Sequence, residues 1–154
     1  MTRPDPAMVP PVPTAADDDP ARWRILALLA LAELLGMSLW FAGSAVAPQL
    51  RERWLLGDAE VAWLTIAVQL GFVLGTATSA VLNLADVVPS RRLFAVSALL
   101  GAASNAGLAW ADDFAGALVT RVAAGFFLAG VYPPAMKMAS TWFRARRGLA
   151  VGTI

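Results

Sequence analysis

The chain has 154 residues, of which 58% are hydrophobic and 15% charged, and its net charge is +1. A soluble domain is about 45–50% apolar and about one quarter charged, so this composition is typical of an integral membrane protein. The absence of cysteine and histidine excludes disulfides, thiol nucleophiles, zinc-type sites and His-dependent triads. We therefore predict that the protein is not an enzyme and has no metal site, no cofactor and no nucleic-acid partner.

Residues 1–22 form a tail that we expect to be disordered and cytosolic. Its first 20 residues hold six prolines and an Asp triplet but almost no large apolar side chain. Such a segment cannot bury enough apolar surface to fold. The folded part of the chain is therefore expected to lie in residues 23–154.

The first apolar run covers residues 25–47. At about 1.5 Å per residue it is long enough to cross a hydrocarbon core of about 30 Å. A cleaved signal peptide is the alternative, because Arg22 and Arg24 precede the run and a small-residue Ala-Val-Ala sequence closes it. The length of the run, the carboxylate of Glu33 inside it and Pro48 directly after it favour a membrane span.

Three further apolar runs predict three more transmembrane helices, over residues 59–85, 93–110 and 114–138. A fifth run begins at Gly148 and is cut off by the last residue of the sequence. The predicted fold is therefore an all-α integral membrane bundle of four transmembrane helices plus the start of a fifth.

The arginines predict the orientation of this bundle. With a cytosolic N-terminus, the outside loops hold only two arginines, whereas three groups flank the cytosolic ends of the spans: Arg22 with Arg24, Arg91 with Arg92, and Arg144 with Arg146 and Arg147. The positive-inside rule favours this arrangement. We predict a multi-pass protein of the cell membrane (inner or plasma membrane) whose N-terminus is cytosolic.

Small residues mark predicted contacts between helices. Gly71 and Gly75 are four residues apart in the second span, and Gly125 lies on one face of the fourth span together with Arg121. Faces of this kind let two helix backbones approach closely. We interpret the three glycines as helix-packing positions.

Two charged residues, Glu33 and Arg121, lie inside predicted spans and away from their ends. Each would cost about 2.5–3.5 kcal/mol or more near the bilayer centre if it faced lipid, so both should face protein or a water-filled cavity. Glu33 shares a helical face with Trp40, and a carboxylate beside such a cavity can bind and release protons. The structural alternatives are a hydrogen bond from Glu33 to a neighbouring helix and snorkelling of Arg121 toward the outer interface.

Span arithmetic places Glu33 in the inner half of the membrane and Arg121 in the outer half, about 10 Å apart in depth. We therefore do not expect a direct ion pair between them. Water or a solute would have to bridge the two charges.

The order of the spans, the short basic loop after the second and the Arg121-Val-Ala-Ala-Gly125 motif resemble the N-terminal part of a major facilitator superfamily transporter. WFRARRGLAVG before the fifth span fits the same pattern. The loop signature of that family is Gly-x-Leu-x-Asp-Arg-x-Gly-Arg-Arg. Residues 82–91, LNLADVVPSR, match it at Leu84, Asp86 and Arg91 and depart from it elsewhere, notably at Val87 in place of an arginine.

This resemblance implies roles for individual residues. In the family the loop helps to latch two transporter halves together on the cytosolic side, which implies a gating role for Asp86, Arg91 and Arg92. Its Arg-centred motif implies that Arg121 faces the central cavity, and the region around Tyr132-Pro133-Pro134 resembles that of porters for small anions, where an aromatic-Pro breaks the helix. The predicted solute and proton pathway comprises Glu33, Trp40, Arg121 and Tyr132.

We therefore expect secondary active transport of a small solute, coupled to protons through Glu33, with an anion favoured because of Arg121. The alternatives are efflux of multiple drugs or cations and a non-transporting membrane subunit or remnant. Family members have two six-span halves with the solute bound between them. We accordingly expect an N-terminal fragment or a truncated gene product, whose partners are the solute, protons, the lipid bilayer and the missing C-terminal half.

Overall fold

The computed structural model of the protein describes residues 19–143 and 146–154. Within them the chain forms seven α-helices: α1 (Ala21–Trp54), α2 (Asp58–Val81), α3 (Leu84–Val87), α4 (Ser90–Ala106), α5 (Phe114–Leu128), α6 (Tyr132–Trp142) and α7 (Arg147–Thr153). A short 3-10 helix, Gly107–Trp110, extends α4. Most of the predicted disordered tail and Arg144 lie outside the described residues.

Four helical stretches are long and apolar enough to cross a membrane. They are α1, α2, α4 with its 3-10 extension, and the pair α5 and α6. The predicted all-α membrane fold of four spans is therefore confirmed. Helix α7 corresponds to the predicted start of a fifth span.

Helix α1 is longer than the predicted span of residues 25–47. It begins at Ala21, whose main-chain N–H donates to Asp19 Oδ1 (2.8 Å), so residues 21 and 22 belong to α1 and not to the tail. At its other end α1 continues through Pro48. An interior proline costs a helical hydrogen bond and a clash with the carbonyl four residues earlier, which membrane helices tolerate where neighbouring groups satisfy the freed backbone. The helix ends where Leu55 takes a left-handed backbone conformation (φ 54°) and donates its N–H to the Arg51 carbonyl.

The second span ends at Val81 rather than at residue 85. Asn83 then adopts a left-handed backbone conformation (φ 53°), which asparagine tolerates better than most residues. This turn redirects the chain into the four-residue helix α3, which carries Asp86. The loop between α2 and α4 is therefore partly helical.

The fourth predicted span, residues 114–138, consists of two helices. Helix α5 ends at Leu128 and α6 begins at Tyr132, with tight turns between them in which the N–H groups of Gly130 and Val131 donate to carbonyls three residues earlier (both 3.0 Å). Pro133 and Pro134 follow in the first turn of α6, where N–H groups have no helical partner in any case. The two prolines therefore fit the start of a new helix.

Helices α2 and α5 form the most extensively packed pair. A methyl group at Gly71 would overlap the main-chain carbonyl of Val122, and one at Gly125 would overlap that of Val68. Gly75 likewise lies against the carbonyl of Phe126. The three predicted packing glycines thus lie where the two backbones approach most closely, as small residues allow in membranes.

The starts of α1 and α4 lie at one end of the bundle together with the end of α6 and with α7. We call this the basic end; the described arginines of these segments are Arg22, Arg24, Arg91, Arg92, Arg146 and Arg147. The start of α1 and the end of α6 meet there in a cluster that includes Leu26, Ala139 and Phe143. The opposite end is closed by a second apolar cluster around Leu50, Leu64 and Leu108.

Candidate functional site

A cavity of about 230 Å³ lies between α1, α2 and the break that separates α5 from α6. We call it the Glu33 cavity; its lining residues are Glu33, Met37, Trp40, Phe72, Leu128, Val131 and Tyr132. The three residues from α1 share one helical face by their spacing. The interrupted fourth span supplies the opposite wall, as irregular backbone in a membrane does where it lines a cavity.

Among the described residues that line this cavity, Glu33 is the only acidic or basic residue. Glu33 is only 1% exposed, and neither of its oxygens has a hydrogen-bond partner among the described residues. Burying an unpaired carboxylate without compensation is strongly unfavourable. The site therefore calls for a proton or a bound ligand at Glu33.

The remainder of the Glu33 cavity is apolar and aromatic. The rings of Trp40 and Phe72 contact each other edge to face, with their centroids 5.5 Å apart. Tyr132, at the start of α6, is 43% exposed and is the lining residue that borders the most open space. Such a cavity suits a compact apolar group, and the Glu33 carboxylate lies buried directly behind its wall.

Arg121 lies deep in the bundle and does not line the Glu33 cavity. Its side chain is fully buried, so it does not snorkel to the interface. Its guanidinium donates to the main-chain carbonyls of Leu39 (3.0 Å), Trp40 (2.7 Å) and Leu64 (3.3 Å) and to Asn105 Oδ1 (2.9 Å). Arg121 is thus enclosed by protein among the described residues, and its place in the solute pathway stays a prediction.

Glu33 and Arg121 make no ion pair in the described part of the chain. Arg121 bonds to α1 at Leu39 and Trp40, six and seven residues beyond Glu33, which corresponds to about 10 Å along a helix. The link between the two is Trp40, whose carbonyl accepts from Arg121 and whose ring lines the Glu33 cavity.

The predicted gating loop lies at the basic end, where its acidic residue contacts α6. Lys137 Nζ donates to the carbonyl of Ala85 (2.8 Å) and lies 3.4 Å from Asp86 Oδ1. Arg91 and Arg92, in the first turn of α4, make no ion pair with Asp86 in the ranges described. The cation that holds Asp86 is thus Lys137, a contact that the loop signature did not indicate.

A sequence profile of the Major Facilitator Superfamily matches residues 27–154, from the second turn of α1 through α7. The chain belongs to the major facilitator superfamily. Its members are transporters, so the expectation that this protein is not an enzyme is confirmed. The resemblance noted in the sequence is confirmed as well.

Curated relatives of this superfamily member include two transporters of sugar acids. It is 29% identical over 132 residues to a galacturonate transporter of Dickeya chrysanthemi, a match that covers 85% of this chain and 38% of the relative. It is 30% identical over 133 residues to a hexuronate transporter of Escherichia coli K12, covering 85% of this chain and 30% of the relative. The chain thus spans about a third of the length of these relatives. No solved structure matches it significantly.

The sequence predicted which residues of this superfamily member gather at the cavity better than it predicted their contacts. Glu33, Trp40 and Tyr132 share one lining. Sequence reasoning missed two residues that hold Arg121 in place. Asn105 accepts a hydrogen bond from its guanidinium, and Gly43 leaves room for it, since a methyl carbon added at Gly43 would lie 2.7 Å from the Arg121 Nε. A polar Asn near the end of an apolar run and a glycine inside another were the available signals.

Proposed function

We propose that this superfamily member carries out secondary active transport of a small solute, coupled to protons through Glu33. The observation that carries the proposal is the buried carboxylate, which has no hydrogen-bond partner among the described residues, in the lining of a cavity. Intramembrane carboxylates are energetically costly, and those that proteins retain mark proton or substrate pathways. Glu33 would then bind a proton together with an anionic solute, or release one when a cationic solute binds.

An organic anion is the solute class that the relatives favour, since galacturonate and hexuronates are carboxylates. Arg121 would act on such an anion through its field and not by contact, because its guanidinium is already bonded to four acceptors in the bundle. Electrostatic interactions reach further in a low-dielectric interior than in water. A second, C-terminal half would complete the solute site, as in other transporters with repeated halves.

The basic end is proposed to face the cytosol of a cell whose plasma or inner membrane holds the protein. Its arginines support this orientation through the positive-inside rule. The loop that carries Asp86, Arg91 and Arg92 would then lie on the cytosolic side, where it would gate the two halves. Its tie to α6 through Lys137 would make this loop move together with the inner part of the fourth span.

Efflux of apolar cations is the second candidate function, and the cavity itself favours it. An aromatic lining with one carboxylate, and without a cationic side chain, suits an amine or another organic cation through cation–π and ionic contacts. The two candidates differ in the charge of the solute and in the direction of transport. They share Glu33 as the proton site.

The test is a transport assay on the full-length protein in proteoliposomes with an imposed pH gradient. D-galacturonate and tetraphenylphosphonium are the two probes, and Glu33→Gln is compared with Glu52→Gln, an exposed carboxylate at the end of α1. We expect Glu33→Gln to lower proton-driven accumulation by about tenfold or more and Glu52→Gln to leave it unchanged. Equal accumulation by the two variants would exclude Glu33 as the proton site, and the transported probe decides between the two solute classes.

A further inference from the structure

We infer that Asn105 is a positioning residue for the Glu33 cavity, which it shapes through Arg121 and Trp40. The inference rests on the proposed function in taking this cavity as the solute site. Asn105 lies near the end of α4, on a different helix from every residue in the lining. Its influence must therefore pass through the buried guanidinium that it contacts.

Asn105 is the only side chain among the acceptors of Arg121 that the described residues provide. The other three acceptors are main-chain carbonyls of α1 and α2, which are present whatever side chains those helices carry. A guanidinium is planar and donates in a fixed fork. The orientation of the guanidinium therefore depends on the one acceptor that a substitution can remove, the amide oxygen of Asn105 at 2.9 Å.

Gly43 limits the guanidinium from the other side. A methyl carbon at Gly43 would lie 2.7 Å from Nε and 2.9 Å from Cζ of Arg121, closer than atoms pack without a shift. The guanidinium thus occupies space that exists only because residue 43 has no side chain. Asn105 and Gly43 together hold Arg121 in the place from which it reaches α1.

The consequence for the cavity follows from Trp40. The shortest of the four hydrogen bonds, at 2.7 Å, ends on the Trp40 carbonyl, and the Trp40 ring is a wall of the Glu33 cavity packed against Phe72. If the guanidinium turns, α1 loses its tie to α5 at the residue that forms this wall. The access of small molecules to the cavity should then change while the distant parts of the bundle do not.

A cysteine-labelling experiment tests this inference without knowledge of the solute. The sequence has no cysteine, so Met37→Cys places a reporter in the cavity lining and Thr141→Cys places one on α6 at the exposed basic end. The rate of reaction with N-ethylmaleimide is measured for each reporter in native membranes. The backgrounds are wild type, Asn105→Leu, which cannot accept, and Asn105→Asp, which still accepts.

We expect Asn105→Leu to change the labelling rate at position 37 by about threefold or more, through altered local opening, with no change at position 141. Asn105→Asp should restore the wild-type rate. Gly43→Ala displaces the same guanidinium with Asn105 intact and should change the labelling rate at position 37 in the same way. This variant also tests the role of the guanidinium if Asn105→Leu does not accumulate in membranes. Gly101→Ala is its matched control, because an added methyl there meets atoms only at ordinary contact distances of 3.6 Å or more.

An unchanged rate at position 37 in Gly43→Ala or Asn105→Leu membranes would overturn the inference. So would an equal change at position 141, which would indicate general loosening of the bundle. Since the assay involves neither solute nor protons, its failure is distinct from a failure of the proposed transport function. Likewise, an unaltered proton coupling in Glu33→Gln would leave the labelling result standing.

Discussion

At the scale of single residues, the two intramembrane charges of this protein are handled in different ways. Arg121 is fully buried and donates hydrogen bonds to four neutral acceptors, whereas Glu33 is buried and has no hydrogen-bond partner in the described segments. Hydrogen bonds can make a buried charge tolerable, and a buried carboxylate without them is not. Arg121 therefore fits a permanent structural role and Glu33 a role in which its charge changes.

This assignment predicts an unusual order of stabilities at position 121. Arg121→Met should lower the free energy of unfolding by about 1–3 kcal/mol, chiefly because the Asn105 amide loses its partner. Arg121→Lys should be no more stable than Arg121→Met, since a single ammonium cannot reach acceptors on three helices and remains a buried charge. Thermal unfolding of the purified protein in detergent measures both. A lysine variant as stable as wild type would contradict the account.

At the scale of helices, close packing of α2 on α5 depends on glycines that touch main-chain atoms. Gly71→Ala should destabilise the bundle by about 1–3 kcal/mol, because the added methyl group cannot be accommodated without moving a backbone. Gly101→Ala, where the neighbours leave ordinary contact distances, should be neutral or slightly stabilising. Their unfolding midpoints, measured side by side in detergent, give the comparison. Equal midpoints would mean that the two helices can separate at little cost.

The tie between α3 and α6 is expected to affect gating more than stability. Lys137 and Asp86 are about half or more exposed, and exposed ion pairs contribute roughly 0–1 kcal/mol. Lys137→Gln should therefore leave the unfolding midpoint almost unchanged while it alters the transport rate of the full-length protein. Arg92→Gln, which removes a charge from the same loop without touching Asp86, is the control. A transport rate that responds only to Arg92→Gln would assign the latch to the arginine.

Hydropathy and loop chemistry predicted the existence and order of the elements, but not where every helix ends. The spans could be predicted because about 20 apolar residues have few alternatives to a membrane helix. The extension of α1 beyond Pro48 could not, because one proline is compatible with either continuation or termination. Similarly, Glu33, Trp40 and Tyr132 could be grouped by their chemistry, whereas the carbonyl partners of Arg121 depend on how three helices pack and leave no trace in residue types.

At the scale of the whole molecule, the proposed function makes the described residues one wall of a transport pathway. The superfamily places its solute between two halves, and the Glu33 cavity lies at the interrupted fourth span, the kind of place where transporters bind solutes and coupling ions. The chain covers about a third of its curated relatives. The account therefore assigns the proton site to this wall and leaves the charge of the solute to be decided by transport of the two probes.

Proton exchange on solute binding tests the central claim, that Glu33 changes its protonation state, most directly. The purified full-length protein is mixed in weakly buffered detergent solution with the solute that it transports, at several pH values between about 5 and 8. Wild type should take up about one proton per bound anion, or release about one per bound cation, and Glu33→Gln should exchange none. Equal proton exchange by wild type and Glu33→Gln would contradict the account.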